Sequence, residues 1–462
     1  MAELPPSEVR YSPESHSPEG GSFVAPAVKR FDWKRFVVVC GAIVVIAACG
    51  IGMLAFLGFG YGPVPTLIGL AAAILPVPVL VSAFLWLDRY EPEPWKYLIF
   101  CFGWGSCVAT ALALAVNTGA SVAFNVAGAS DSHVATLVAP FIEELGKAIG
   151  PALLFFFRRK AFSGPVDGIV YFGLSAVGFA MMENILYMGR VYIQGSDQSG
   201  LASVGVLSVF MLFIVRVVLS GFAHPLFTSM TGIAFGYAAR NASKGARTFL
   251  PLCGLMLAMM LHGSWNLIAT LAQFEGLVIL YGYFAFMMPV FFGVVGFALW
   301  LRAQDGRIAG RVLPVYVKAA WMSPPEVASL VTLGRRLTAR YWARQFAGPE
   351  GARAMSGYQA TATKLALLRD AAERGIVPAD FAAEELRLLH ELAGYRAVFT
   401  GRDPRTPQGM WTGSVYRLVF PDRSVREVAA PESPVVPMPL APPPPPPPMP
   451  YGYGYGYGGP RG

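Results

Sequence analysis

Apolar residues along this chain come in long blocks, rather than in the alternation of a half-buried strand or the narrow stripe of a surface helix. A helix needs about 20 consecutive apolar residues to cross a hydrocarbon core of about 30 Å. Eight blocks meet that length, at about 36–59, 63–87, 97–118, 134–157, 165–188, 220–239, 249–272 and 276–301. Inside lipid a segment must satisfy its own backbone hydrogen bonds, so each block predicts a spanning helix. A ninth stretch, 203–219, is shorter and broken by Arg216, and is expected to be re-entrant or half-buried. The fold class that follows is all-α: a polytopic transmembrane helical bundle of about eight spans plus this one partial segment.

Composition supports that reading. Of 462 residues, 55% are hydrophobic and only 14% charged, against roughly a quarter charged in soluble domains. The placement of the charges gives the topology, because Lys and Arg in short loops stay on the cytoplasmic side. Lys29, Arg30, Lys34 and Arg35 precede the first block. Walking along eight spans then puts Arg89 and Lys96, the run Arg158, Arg159 and Lys160, the trio Arg240, Lys244 and Arg247, and Arg302, Arg307 and Arg311 inside. Apart from Arg216, the outer loops keep one basic residue, Arg190. A ninth full crossing would carry the Arg240 to Arg247 loop outside and break the pattern. The expected location is therefore the cell membrane, multi-pass, with both termini cytoplasmic.

The first block is too long, and starts too far from Met1, for a cleaved signal peptide, so it is expected to be an uncleaved anchor. The net charge of +8 is inner-face anchoring and gives no reason to expect nucleic acid as a partner. All five cysteines (Cys40, Cys49, Cys101, Cys107 and Cys253) fall within spans and form neither a disulfide framework nor a CxxC metal motif.

Outside the membrane domain, taken as 36–301, residues 1–35 are rich in Pro, Ser and Glu and are expected to form a disordered cytoplasmic tail. From 302 to 425 the chain is charged and helical in pattern, with Leu330, Leu333, Leu337 and Tyr341 at helix spacing, which predicts a cytoplasmic helical region. Residues 426–462 hold a run of prolines, 442–448, and then tyrosines alternating with glycine, a composition for polyproline II and disorder. Such a tail is a solvated end or a docking peptide for the aromatic groove of a protein partner.

The candidate chemistry lies in residues that hydrocarbon disfavours. A charge at mid-bilayer costs about 2.5–3.5 kcal/mol on insertion scales, so buried Glu, Lys and His are functional candidates. The fourth block carries Glu143, Glu144 and Lys147, with Glu143 four residues before the lysine and Glu144 three. One lysine cannot neutralise two carboxylates, which leaves one for a proton or for water. The fifth carries Glu183 and Asn184 after a run of small residues suited to close helix packing. His224 opens the sixth and His262 sits in the seventh, with Thr228 and Asn266 each four residues on, where Asn266 can orient the imidazole or serve an oxyanion. His16, His133 and His390 read as surface residues. On the eight-span topology all the candidates fall in the outer half of the bilayer. Two imidazoles with carboxylates in a dry cavity suit metal-assisted hydrolysis, with zinc the metal that this donor set favours.

In these motifs the chain resembles the PrsW family of intramembrane metalloproteases, within a wider group that includes CAAX prenyl proteases and bacteriocin-processing membrane proteases. The resemblance covers roughly 63–301 through EExxK (Glu143, Glu144, Lys147), FxxxEN (Phe179, Glu183, Asn184), HxxxT (His224, Thr228) and HxxxN (His262, Asn266), together with the Asp-Arg-Tyr-Glu-Pro-Glu-Pro run at 88–94. It implies cleavage of membrane-anchored proteins, such as anti-sigma-factor regulators. It also implies that Glu143 activates water with Glu144 close by, and that His224, His262 and Glu183 are the metal ligands. CAAX proteases usually carry an arginine and a histidine where this chain has Lys147 and Glu183, which argues against a prenylated substrate. Rival readings of the same residues are a proton relay in a transporter or channel, for which the chain shows no internal repeat, and an inactive membrane scaffold.

Overall fold

The computed structural model describes residues 33–128, 131–405, 409–420 and 422–431. The N-terminal tail and the proline- and tyrosine-rich segment lie outside them, and so does His16. The helices are α1 (Trp33–Gly60), α2 (Pro63–Ile74), α3 (Val77–Leu87), α4 (Trp95–Gly103), α5 (Thr110–Val126), the single turn α6 (Asp131–His133), α7 (Ala139–Phe157), α8 (Pro165–Ser199), α9 (Ala202–Phe213), α10 (Ala223–Ala239), α11 (Lys244–Leu271), α12 (Leu277–Gly282) and α13 (Met288–Val312). They continue into α14 (Pro314–Lys318), α15 (Pro324–Leu330), α16 (Leu333–Glu373) and α17 (Phe381–Phe399). A small antiparallel sheet of β1 (Gly409–Trp411), β2 (Val415–Val419) and β3 (Val425–Ala429) follows.

Among the described residues, seven helical stretches are long and apolar enough to cross a membrane. Several are joined pieces. Leu75 and Pro76 interrupt 63–87, and a π-helical turn, Trp104–Ala109, joins α4 to α5. α7 is not among the seven. It carries Glu143, Glu144 and Lys147, and with it the bundle has the eight long segments that the apolar pattern predicts.

α8 is the axis of the bundle. Its most apolar stretch is 83% buried by protein, whereas that of α1 is 6% buried and faces outward. Small residues make this possible, as a Cβ on Gly168 would lie 1.9 Å from the Gly232 carbonyl oxygen. A side chain there would force the two backbones apart. Without a large hydrophobic drive between helices in lipid, such close van der Waals contact is what holds α8 to α10.

The partial segment is resolved by its neighbours along α8. Gly205 lies against Gly195, Arg216 against Glu183, His224 against the same Glu183, Gly232 against Gly168 and Gly236 against Pro165. α9, the π-helical turn Ile214–Leu219 and α10 therefore run antiparallel to α8 as one path that breaks at 220–222. Of the two readings for 203–219, re-entrant or half-buried, the second holds: it is the first half of the helical stretch Ala202–Ala239. It fits because α8 continues to Ser199, beyond the apolar block that ends near 188.

The region from 302 is helical to Phe399; the sheet that follows, with its Trp411 and Tyr416 rings 4.7 Å apart, runs through β3 to Ala429, so residues 426–429 are paired strand and not part of a disordered tail. The predicted stripe on α16 faces the other way, however. Leu337 and Tyr341 are 50% and 71% exposed, while Arg336, Ala339, Trp342 and Ala343 are buried. The core instead gathers Leu313, Tyr316, Met322, Leu330, Met355, Tyr358, Leu365 and Leu392.

This region meets the membrane bundle at the 88–94 loop. Arg336 donates to the Tyr90 carbonyl at 3.2 Å, and Arg240 pairs with Asp305 at 3.0 Å. The loop is strongly acidic. Burial, and then the neighbouring Asp167, push the Asp88 carboxyl up to about 9, and burial with the same neighbour raises Glu91 to about 8.

Candidate active site

Four helices deliver the polar residues to one place. α7 contributes Glu143, Glu144 and Lys147 from its first turns, all buried. α8 contributes Glu183 and Asn184, α10 opens with His224, and α11 places His262 in its interior.

Lys147 reaches three of these groups. Its Nζ donates to Glu144 Oε1 at 2.6 Å and sits 3.1 Å from His224 Nδ1, but 3.9 Å from Glu143 Oε2. The lysine thus answers Glu144 more closely than Glu143, although the four-residue spacing suits the latter. Glu144 is fully engaged: Oε1 also meets His262 Nδ1 at 2.9 Å, and Oε2 accepts the Thr228 hydroxyl at 2.7 Å. These contacts fix both imidazoles through Nδ1 and turn each Nε2 toward a glutamate. His224 Nε2 lies 2.9 Å from Glu183 Oε2, and His262 Nε2 lies 3.7 Å from Glu143 Oε2. The rings stand 5.0 Å apart and nearly perpendicular.

Glu143 differs from its neighbours. Its Oε1 is 3.4 Å from Asn117 Nδ2, and its Oε2 is buried without a hydrogen-bond partner. One donor atom each from Glu143, His224 and His262 lies within 4.8 Å of the others. An orphaned carboxylate oxygen beside two imidazole nitrogens fits a metal ion, since an unanswered buried carboxylate is costly and N and O donors of this kind suit zinc. A second trio, Asp88, Glu93 and Asp167, is equally close. Those groups are all carboxylates and are already taken by the Tyr171 and Ser163 hydroxyls and by backbone amides.

Two expected contacts are not made. Asn266 does not touch the His262 imidazole; its Nδ2 donates to the Ala135 carbonyl at 2.9 Å, because His262 Nδ1 is already held by Glu144. Thr228 likewise serves Glu144 and not His224.

A further side chain joins the cluster. Arg216, which reads in the sequence only as an interruption, donates through Nη2 to Glu183 Oε2 at 2.5 Å and through Nε to Asn184 Oδ1 at 2.9 Å, and lies 4.1 Å over the Tyr187 ring. The signal was available, since an arginine inside an apolar stretch requires a partner and Glu183 was the carboxylate without one. A cavity of about 610 Å³ adjoins the cluster, lined by Asn117, Glu143, Glu183, Arg216, His224, His262 and Asn266 among others.

The chain is similar to curated proteases over this same part. A family profile described as PrsW family intramembrane metalloprotease matches residues 93–294. Protease PrsW of Bacillus subtilis (strain 168) is 30% identical over 201 residues, 44% of this chain and 82% of that protein. The chain belongs to the PrsW family. Two further relatives agree: Protease PrsW of Geobacillus kaustophilus (strain HTA426), 29% identical over 43% of this chain and 80% of that protein, and Protease PrsW of Clostridioides difficile (strain 630), 29% identical over 45% and 82%. No solved structure matches the chain. As a PrsW-family member with this set of apolar helices, it is a multi-pass membrane peptidase. The matched residues include every motif of the cluster, whereas α1, α2, α3, residues 88–92 and the C-terminal region lie outside them, a narrower span than the 63–301 read from the sequence.

Proposed function

We propose that the chain is a metal-dependent intramembrane endopeptidase that cuts membrane-anchored proteins, with zinc as the metal. The observation that carries this is the meeting of His224 and His262 with Glu143, whose Oε2 is buried without a hydrogen-bond partner, beside a cavity of about 610 Å³. His224 and His262 would hold the ion through Nε2, and Glu183, already 2.9 Å from His224 Nε2, would supply the carboxylate ligand. A bound zinc supplies a Lewis acid and brings the pKa of water to about 7.

The chain's own residues do the rest. Glu143 takes the proton of the attacking water as its oxygen bonds to the scissile carbonyl carbon. It then passes that proton to the departing amide nitrogen as the C–N bond breaks. Glu144 is saturated by Lys147, His262 and Thr228, so it orients rather than reacts. Arg216 neutralises Glu183, and Asn117 and Asn266 offer amides at the cavity to a bound peptide backbone.

The basic residues that favour one side support cytoplasmic termini in the cell membrane, and the site then lies toward the outer leaflet. Anchored regulators of the anti-sigma type are the substrate class suggested by the family resemblance.

The test is metal content by mass spectrometry on detergent-purified protein. Wild type should hold about one zinc per chain, lost in His224→Ala, His262→Ala and Glu183→Gln. Glu143→Gln should keep the metal and lose cleavage. Loss of metal in Glu143→Gln with retention in Glu183→Gln would make Glu143 the ligand, an exchange that the 4.8 Å grouping also permits. No metal in any active preparation would overturn the proposal.

A further inference from the structure

Arg302, on α13 near the end of the bundle that carries the C-terminal region, is 3% exposed, and its Nε and Nη2 are buried without a partner. An arginine stays charged at any physiological pH, and a buried guanidinium is normally answered by carboxylates or carbonyls. The nearest carboxylate on its own helix, Asp305, is taken by Arg240. What surrounds Arg302 is aromatic or basic: it stacks 3.7 Å over Trp86, and its electrostatic neighbours are Tyr90 and Arg89. Arg89 in turn lies within electrostatic reach of Arg340 on α16. Such a cluster has a place for an anion, and no carboxylate among the described residues is bonded to Arg302.

We infer that this notch between the end of α3 and α13 binds the phosphate group of an anionic phospholipid. Phosphate matches the planar guanidinium fork and supplies the acceptors that Nε and Nη2 lack. The setting favours a lipid over free phosphate. Trp86, Trp95 and Trp300 are 46%, 64% and 46% exposed near this end, as interfacial aromatics are. On α16, Leu337 and Tyr341 are exposed on either side of Arg340, whose Nε donates to Gln359 Oε1 at 2.7 Å, and the two side chains give an apolar face suited to a headgroup layer. That face also explains why the helical stripe read from the sequence points away from the core of the C-terminal region. The lipid would then bridge the bundle and α16 beside the Arg336 to Tyr90 contact.

The test uses the full chain in detergent. Native mass spectrometry and thermal unfolding are followed with added phosphatidylglycerol, phosphatidylcholine or inorganic phosphate. Phosphatidylglycerol should give a one-to-one adduct and raise the unfolding temperature, while phosphatidylcholine should do neither. Arg302→Met, which keeps the stem on Trp86 but loses the donors, should bind phosphatidylglycerol at least about tenfold more weakly. Arg89→Gln, at an exposed position, should weaken it less and gives the same test if Arg302→Met fails to fold. Equal phosphatidylglycerol binding by wild type and both variants would overturn the inference. An equal stabilisation by inorganic phosphate alone, with no lipid adduct, would also overturn it and leave a free-anion site.

Discussion

The strongest claim on Glu144 is that its two oxygens are separately held, and Thr228→Val tests this with a near-isosteric change. In the structure Oε1 has two partners, Lys147 at 2.6 Å and His262 at 2.9 Å, whereas Oε2 has Thr228 alone at 2.7 Å. Both Thr228 and Glu144 are 0% exposed, so no water can replace the lost hydroxyl. A hydrogen bond to a charged group contributes about 1.5–3 kcal/mol, and the larger end applies when the acceptor is left orphaned in a dry site. The expected loss is therefore about 2–3 kcal/mol for Thr228→Val, and below about 1 kcal/mol for Thr228→Ser, which keeps the hydroxyl and removes one methyl. The assay is equilibrium unfolding in mixed micelles of dodecylmaltoside and SDS, with metal chelated so that only the protein network is read. In a Glu144→Gln background the same Val substitution should cost less than about 1 kcal/mol, since the acceptor is no longer charged. A Thr228→Val cost within about 0.5 kcal/mol of zero, or one unchanged by Glu144→Gln, would refute the assignment of Glu144 as an orienting group.

Arg216→Met should destabilise by about 1–3 kcal/mol in the same assay, because it leaves Glu183 with His224 as its only close partner beside a cavity that admits water; Arg216→Lys should recover part of the loss. Gly168→Ala should cost at least about 1–3 kcal/mol, since its Cβ would stand 1.9 Å from the Gly232 oxygen and push α10 off α8. For pH, a carboxyl raised in the fold binds more protons folded than unfolded, so its contribution is complete below about 4 and is lost as pH rises toward the folded value. Asp88, pushed up to about 9, should therefore make stability fall between those limits by as much as about 1.4 kcal/mol per unit. Asp88→Asn, which can still accept the Glu93 amide, should flatten that slope and raise stability at pH 8; an unchanged slope would show that Asp88 ionises freely.

The apolar blocks alone determined the class, because hydrocarbon admits only self-satisfied helices of a given length, and seven long apolar helical stretches and α7 overlie the predicted blocks, with 202–239 joining two of the stretches read separately. The same physics exposed Glu143, Glu144, Lys147, Glu183, His224 and His262, since charge and imidazole in such blocks require a reason. Spacing along one helix could not say which groups meet across helices. Lys147 chose Glu144, Thr228 reached Glu144 and not His224, and Asn266 turned to the Ala135 carbonyl, because packing around α8 sets distances to within an ångström whereas a four-residue interval fixes only a face. The partner of Arg216 was out of reach for the same reason, and so was the course of 203–219, which depends on how far α8 runs beyond its apolar block. On α16 the periodicity gave a helix, but its buried face was decided by the Tyr90 carbonyl that binds Arg336 and by Asp403 and Phe399, which hold Trp342 inward, leaving Leu337 and Tyr341 outside.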